Sequence, residues 1–283
     1  MTVTCKKFLK NFKNKDSLIK LILCACKQIG FKSEQARADA DTCLVQKAID
    51  LSIHGRVNLV AADTDILVML LFHREKLNNI TYLTSDSKSY DVWLIASTMT
   101  ERQKSSLLVH AVSGCDTVSS VFGFGKVRIW KILGDEEKIP DEEKISDTIV
   151  QNFSQPDRSK EMIHRAGIKL FEVIFNKASE KTKYQSVKLM PQNNLHFRTY
   201  KLMCDKGNVQ PERLPPTEGA VRQHSLRTYL QINDWRELQC TSLDPCEYGW
   251  KRGPSEDDDY EPTGSEDPIA PEKLQNLISC SCK

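Results

Sequence analysis

Apolar positions recur at helical spacing along most of this chain. Phe8, Leu9 and Phe12, then Leu18, Ile19, Leu21, Ile22 and Ile29, fall three or four residues apart, the repeat that lays one stripe along a helix. Asn14 to Asp16 or Ser17 can cap the second of these helices. Leu44, Val45, Ala48 and Ile49 form another stripe. The pattern then changes. Val57 to Ala62 is a short apolar run after a His-Gly-Arg turn, which predicts a strand. Ile66 to His73 is apolar throughout, and periodicity leaves helix and strand both open there. Ile80 to Thr84 predicts a second strand, Ser85 to Ser89 a turn, and Tyr90 to Met99 is ambiguous. Helical patterns return over Gln103 to Val112, after Gly125, over Glu161 to Lys181, and as a short helix in HSLRTYLQINDWREL.

Strands alternating with helices predict an α/β fold, a parallel sheet with helices on its faces. The expected partition is an α/β domain over 1–134, a helical extension over 135–188 that opens with the charged stretch Asp135 to Lys144, and an irregular, partly disordered C-terminal region over 189–283. Within that last region, residues 255–267 are acidic and rich in Pro, Gly and Ser, a composition that buries little.

Composition narrows this only slightly. The chain has 283 residues, with 40 Lys plus Arg against 38 Asp plus Glu. A net charge of +2 selects no partner, so any nucleic-acid surface must arise from local clustering. No run is long and apolar enough to span a membrane, and no leader pattern opens the chain, so an intracellular location is expected. The ten cysteines are scattered, and in apolar runs (Cys24, Cys26, Cys43) they read as small buried hydrophobes. Cys280 and Cys282 invite a metal reading, but two ligands do not close a zinc site. The six histidines form no HExxH, and no GxSxG elbow is present.

The candidate chemistry lies in acids. Asp39 and Asp41 open one predicted helix; capping explains Asp39, and Asp41 falls on the inward face, where a carboxylate needs a cation. Asp63 and Asp65 stand where the Val57 strand ends, the position at which open α/β sheets bind ligands. Asp116 follows a helix at the Ser113-Gly114-Cys115 break. Gly123-Phe124-Gly125-Lys126 opens a helix with Lys126 and Arg128 in its first turn, a candidate phosphate cradle. It is neither a Walker loop nor a dinucleotide fingerprint.

In this order, Asp39-x-Asp41, Asp63-x-Asp65, Gly114-Cys115-Asp116 and Gly123-x-Gly125-Lys126 resemble the flap-endonuclease and XPG branch of the PIN-like nucleases. The DADT, DTDILVML and SGCDT segments are also similar to those of PIN-like proteins of invertebrate animals. The resemblance covers roughly Ala36 to Leu133. It implies a PIN-like α/β domain and a metal-dependent, structure-specific nuclease: Asp39, Asp41, Asp63, Asp65 and Asp116 would hold two divalent ions, Mg²⁺ or Mn²⁺, that hydrolyse a phosphodiester. Gly123, Gly125 and Lys126 would contact the phosphate backbone of DNA with branched or single-stranded features, which leaves a nuclear location open.

The family begins with a strand that carries a further metal-binding Asp. Here only 38 residues precede Asp39 and none reads as that strand. The helical acids are also Asp where the nucleases have Glu. The expectation is therefore a nuclease-type domain without its N-terminal part, as in a fragment. The alternative is a catalytically inactive PIN-like module that binds nucleic acid or protein. A blander reading makes every acid a cap or a turn, which explains each singly but not their order.

Overall fold

The computed structural model describes residues 8–9, 11–36, 39–84, 88–99, 106–134, 145–179, 192–238, 242–254, 260–265 and 267. The charged stretch at 135–144 and the Cys280/Cys282 pair lie outside them.

The chain is mixed α/β with helix predominating. After α1 (Phe12–Gln28) and α2 (Ala40–Ser52) come β1 (Val57–Val60), α3 (Thr64–Phe72), β2 (Ile80–Leu83), β3 (Ser89–Asp91) and α4 (Val92–Thr98). The ambiguous apolar run at Ile66 is thus a helix, begun by an Asp cap that a strand would not use. The parallel sheet expected from the sequence is present only in part, as three short strands in the order β1-β2-β3. Only β1 and β2 run parallel, with Val57 opposite Ile80, whereas β3 returns antiparallel to β2. β1 buries Leu59 alone and leaves Val60 65% exposed, as an edge strand with one covered face does. Of the cysteines expected to be buried, Cys24 is exposed and Cys26 and Cys43 are half-buried.

The helical part continues with α5 (Ser106–Val112), α6 (Lys126–Gly134), α7 (Ile145–Ser154), α8 (Lys160–Ser179) and α9 (Gln192–Asp205). Among the described residues beyond 189, more is helical than the sequence led one to expect. They hold α9 and the 20-residue α10 (Glu218–Glu237). Even within the acidic stretch expected to be disordered, Tyr260–Pro262 form β5 against β4 (Trp250–Arg252), and the Asp267 carboxylate accepts from the Gly219 N–H at 2.8 Å.

α10 is the axis of the molecule. It packs on α8, α5, α7 and α3, and its Val221, Tyr229, Ile232 and Trp235 join one hydrophobic cluster that runs from Val45 to Leu238. Two buried histidines tie it to its neighbours at carbonyls near helix ends, which lack an intrahelical donor. His224 Nε2 donates to Val112 O at the end of α5, and His73 Nε2 donates to Trp235 O near the end of α10, both at 2.9 Å. Burial pushes the His224 imidazole down to about 4, so it stays neutral. Among the described residues, no helix is long and apolar enough to cross a membrane.

Candidate functional site

Two helix starts repeat one local design. Asp39 and Asp63 both sit in extended backbone, with φ −84° and −88°, as N-caps of α2 and α3. Asp39 accepts from the Thr42 N–H at 3.0 Å and the Asp41 N–H at 3.4 Å. Asp63 accepts from the Asp65 N–H at 2.9 Å. The second acid of each pair then falls in the first turn, where the positive end of the helix favours it. Capping is therefore real for Asp39 and Asp63. It does not compete with a site, because both mouths open on the same place. Tyr82 on β2 fixes the second of them by donating to Asp63 O at 2.7 Å.

The third acid arrives by a constrained turn. Gly114 has φ +115°, and a Cβ there would lie 2.8 Å from the Ser120 backbone Cα, so only glycine fits. Cys115 and Val118 then exchange backbone hydrogen bonds at 3.0 and 3.3 Å, Val118 is buried, and Asp116 is held outward at the turn. Burial raises the Cys115 thiol above its usual range, which disfavours its thiolate.

Asp39, Asp41, Asp65 and Asp116 line one cleft of about 130 Å³. Its other wall comes from α10: Gln231, Asp234 and Trp235. Asp234 is an acid that nothing in the local pattern of HSLRTYLQINDWREL had marked, since it neither caps an element nor repeats with another acid. Burial, and then the charges of Asp39, Asp63, Asp65 and Asp116, raise the Asp41 carboxyl to about 6. The other four acids singled out in the sequence are thus all within electrostatic reach of Asp41. They are not drawn into a closed cage: among the described residues, no group of three or more His, Cys, Asp or Glu side chains has metal-holding geometry.

Asp65 is the exception to the crowding. Burial works to raise its carboxyl, but a hydrogen bond and charge from His110, and the charge of Lys126, bring it below the usual range. His110 Nε2 meets Asp65 Oδ1, Lys126 Nζ stands 2.9 Å from the same ring nitrogen, and the ammonium is 3.9 Å from the carboxylate. His110 is buried against the Trp235 ring, with centroids 5.9 Å apart. No local pattern sets His110, four residues before Gly114, apart from the other five histidines.

The Gly-x-Gly turn does open a helix, as its pattern predicts. Phe124 N–H bonds back to Val121 O at 2.9 Å across Gly123 at φ +76°, and Lys126 is the first residue of α6. Its cations are engaged from within: Lys126 with His110 and Asp65, and Arg128 by a 2.7 Å bond to Gly123 O and by stacking 4.3 Å over the Phe124 ring. Gly125 has open space around its Cα, so its backbone can be approached from outside.

No protein-family model matches this chain, and no significant match was found among curated proteins or solved structures.

Proposed function

We propose that the acidic cleft is a divalent-cation site of a phosphodiester-cleaving domain of the PIN-like, flap-nuclease type, acting on DNA. The observation that carries this reading is the convergence of acids from three separate stretches on one cleft, with Asp41 raised to about 6 by the others. Carboxylates crowded in this way repel unless a cation stands among them. An all-oxygen donor set suits hard ions such as Mg²⁺ or Mn²⁺. Asp39, Asp41, Asp65 and Asp116 would hold the ion, with Asp63 and Asp234 beside them. Such an ion supplies water activation and stabilisation of the leaving oxygen. The chain's own residues do the rest. Gly123, Gly125 and Lys126 present backbone and ammonium groups to a nucleic-acid phosphate. His110 orients Asp65, and Trp235 fixes His110.

A second reading is a binding module without catalysis. The observation in its favour is that His110 and Lys126 already neutralise Asp65 from within the fold.

The test is cleavage of single-stranded and flapped DNA in Mg²⁺ or Mn²⁺, with Asp41→Asn and Asp116→Asn as controls, beside Mn²⁺ binding by each protein. Metal-dependent cleavage that falls by about 100-fold or more in both variants supports the first reading. Oligonucleotide binding with no cleavage leaves the second. Failure of the wild-type protein to bind Mn²⁺ at millimolar concentration overturns the metal site.

A further inference from the structure

A second cavity, of about 370 Å³, lies one to three turns back along α10 from the acidic cleft. That volume is in the range of small-molecule sites. Its most telling component is Arg227. The residue is 8% exposed, and its Nη1 donates to Gly249 O at 3.0 Å and Thr263 O at 3.4 Å, both neutral carbonyls. Among the described residues no carboxylate forms an ion pair with it, and its pKa is lowered by burial alone. The Trp250 ring lies 5.9 Å from the Arg227 Cζ, but a buried cation without a counter-charge is costly, and among the described residues only Nη1 of the five-donor fork has a hydrogen-bond acceptor. The flat guanidinium fork is the group best matched to a phosphate.

The rest of the lining fits the same kind of ligand. Ser119, Ser120, Thr263 and Ser265 bring hydroxyls, and Phe122, 53% exposed, brings an open aromatic face above a floor of the buried Phe171 and Phe175. The one acid in the lining, Glu212, is exposed, where water screens its charge. Its neighbour Arg213 places a guanidinium 6.0 Å over the Phe122 ring, also at this cavity.

We propose that this cavity binds a phosphomonoester carried on a planar aromatic body, a ligand of nucleoside-monophosphate size, with Arg227 and the hydroxyls taking the phosphate and Phe122 taking the ring. The site is independent of the acidic cleft and requires no metal. Ser119 and Ser120 belong to the same turn that presents Asp116, so the ligand would rest on the loop joining the two sites.

The experiment is calorimetric titration of the full chain, in EDTA, with adenosine 5′-monophosphate, adenosine and inorganic phosphate. The nucleotide is expected to bind at least about tenfold more tightly than either part. Arg227→Lys, which keeps the charge and loses the fork, should weaken the nucleotide by about tenfold and leave adenosine unchanged. Because Arg227 also ties α10 to the β4–β5 hairpin, Ser119→Phe is the companion variant. It fills the cavity from an exposed loop position, and it should abolish nucleotide binding while the circular dichroism spectrum and melting temperature stay unchanged. Three results overturn the proposal: no nucleotide binding at millimolar concentration, equal affinity for nucleotide and adenosine, or full affinity in folded Ser119→Phe. Because metal is absent throughout, none of these outcomes bears on the carboxylate cleft.

Discussion

Lys126 Nζ stands 2.9 Å from His110 Nε2, the ring nitrogen that also meets the Asp65 carboxylate. One nitrogen cannot accept from an ammonium and donate to a carboxylate at the same moment. At most one of the two contacts is a hydrogen bond of that nitrogen, so the first residue of the Gly-x-Gly helix and an acid of the cleft share one histidine. Lys126→Met ends that sharing and removes a positive charge 3.9 Å from Asp65. The variant should bind Mn²⁺ several-fold more tightly, read by titration of the free-ion paramagnetic signal. It should also bind oligonucleotide more weakly, with a log-affinity against log-salt slope shallower by about 1. Unchanged values of both would remove Lys126 from either role.

Asp39 and Asp63 cap their helices, and substitution separates that role from the metal-holding one proposed above. Asparagine caps a helix about as well as aspartate but carries no charge, whereas alanine does neither. Asp63→Ala should lose about 0.5–2 kcal/mol in urea unfolding, and Asp63→Asn only a few tenths. Both should lose Mn²⁺ affinity. A variant that keeps stability and metal affinity together would leave Asp63 as a cap alone.

Gly114→Ala tests the turn that presents Asp116. The substitution places a methyl 2.8 Å from the Ser120 Cα at φ +115°, and strain of this kind costs on the order of 1–3 kcal/mol. The loss should appear as a lower denaturation midpoint with an unchanged m value.

Two groups give stability opposite pH dependences across the mildly acidic range. Asp41 has its folded pKa raised from 3.8 to about 6. Its contribution is complete below the unfolded value and is lost as pH rises through about 6. In EDTA, Asp41→Asn should therefore be more stable than wild type at pH 7, with the difference shrinking towards pH 4. His224 has its folded pKa lowered from 6.5 to about 4. Its contribution is complete above 6.5 and is lost as pH falls through about 4, an effect of roughly 3 kcal/mol for so buried a group. His224→Gln, which keeps a donor towards Val112 O, should flatten the acid limb of the stability profile. A profile identical to wild type would show that the imidazole already titrates freely.

The parts of the fold that could be read in the sequence were those governed by local rules. α2 and α3 begin at the aspartates that cap them, β1 and β2 follow the short apolar runs, and α6 starts where the Gly-x-Gly pattern ends. α10 reads in the sequence only as a short helix because it does not follow the one-stripe rule. His224, Arg227, Thr228 and Asn233 are buried beside its apolar residues, and each is satisfied by a partner distant in sequence or by the preceding helical turn. A helix surrounded on all sides shows no period. The missing cleft residues follow from the same cause. Gln231, Asp234 and Trp235 reach the acids across more than a hundred positions, and His110 is recognisable only once Asp65 and Lys126 stand on either side of it.

The place of α10 also sets an order of events during synthesis. The five acids have all emerged from the ribosome by residue 116, yet the wall that closes their cleft is made about a hundred residues later. Until then α5 and α8 expose the apolar faces that α10 will cover, and long-range closure of this kind is slow compared with helix formation. From the completion of α8 at Ser179 to that of α10 at Glu237, a growing chain carries those faces with no helix of its own to cover them.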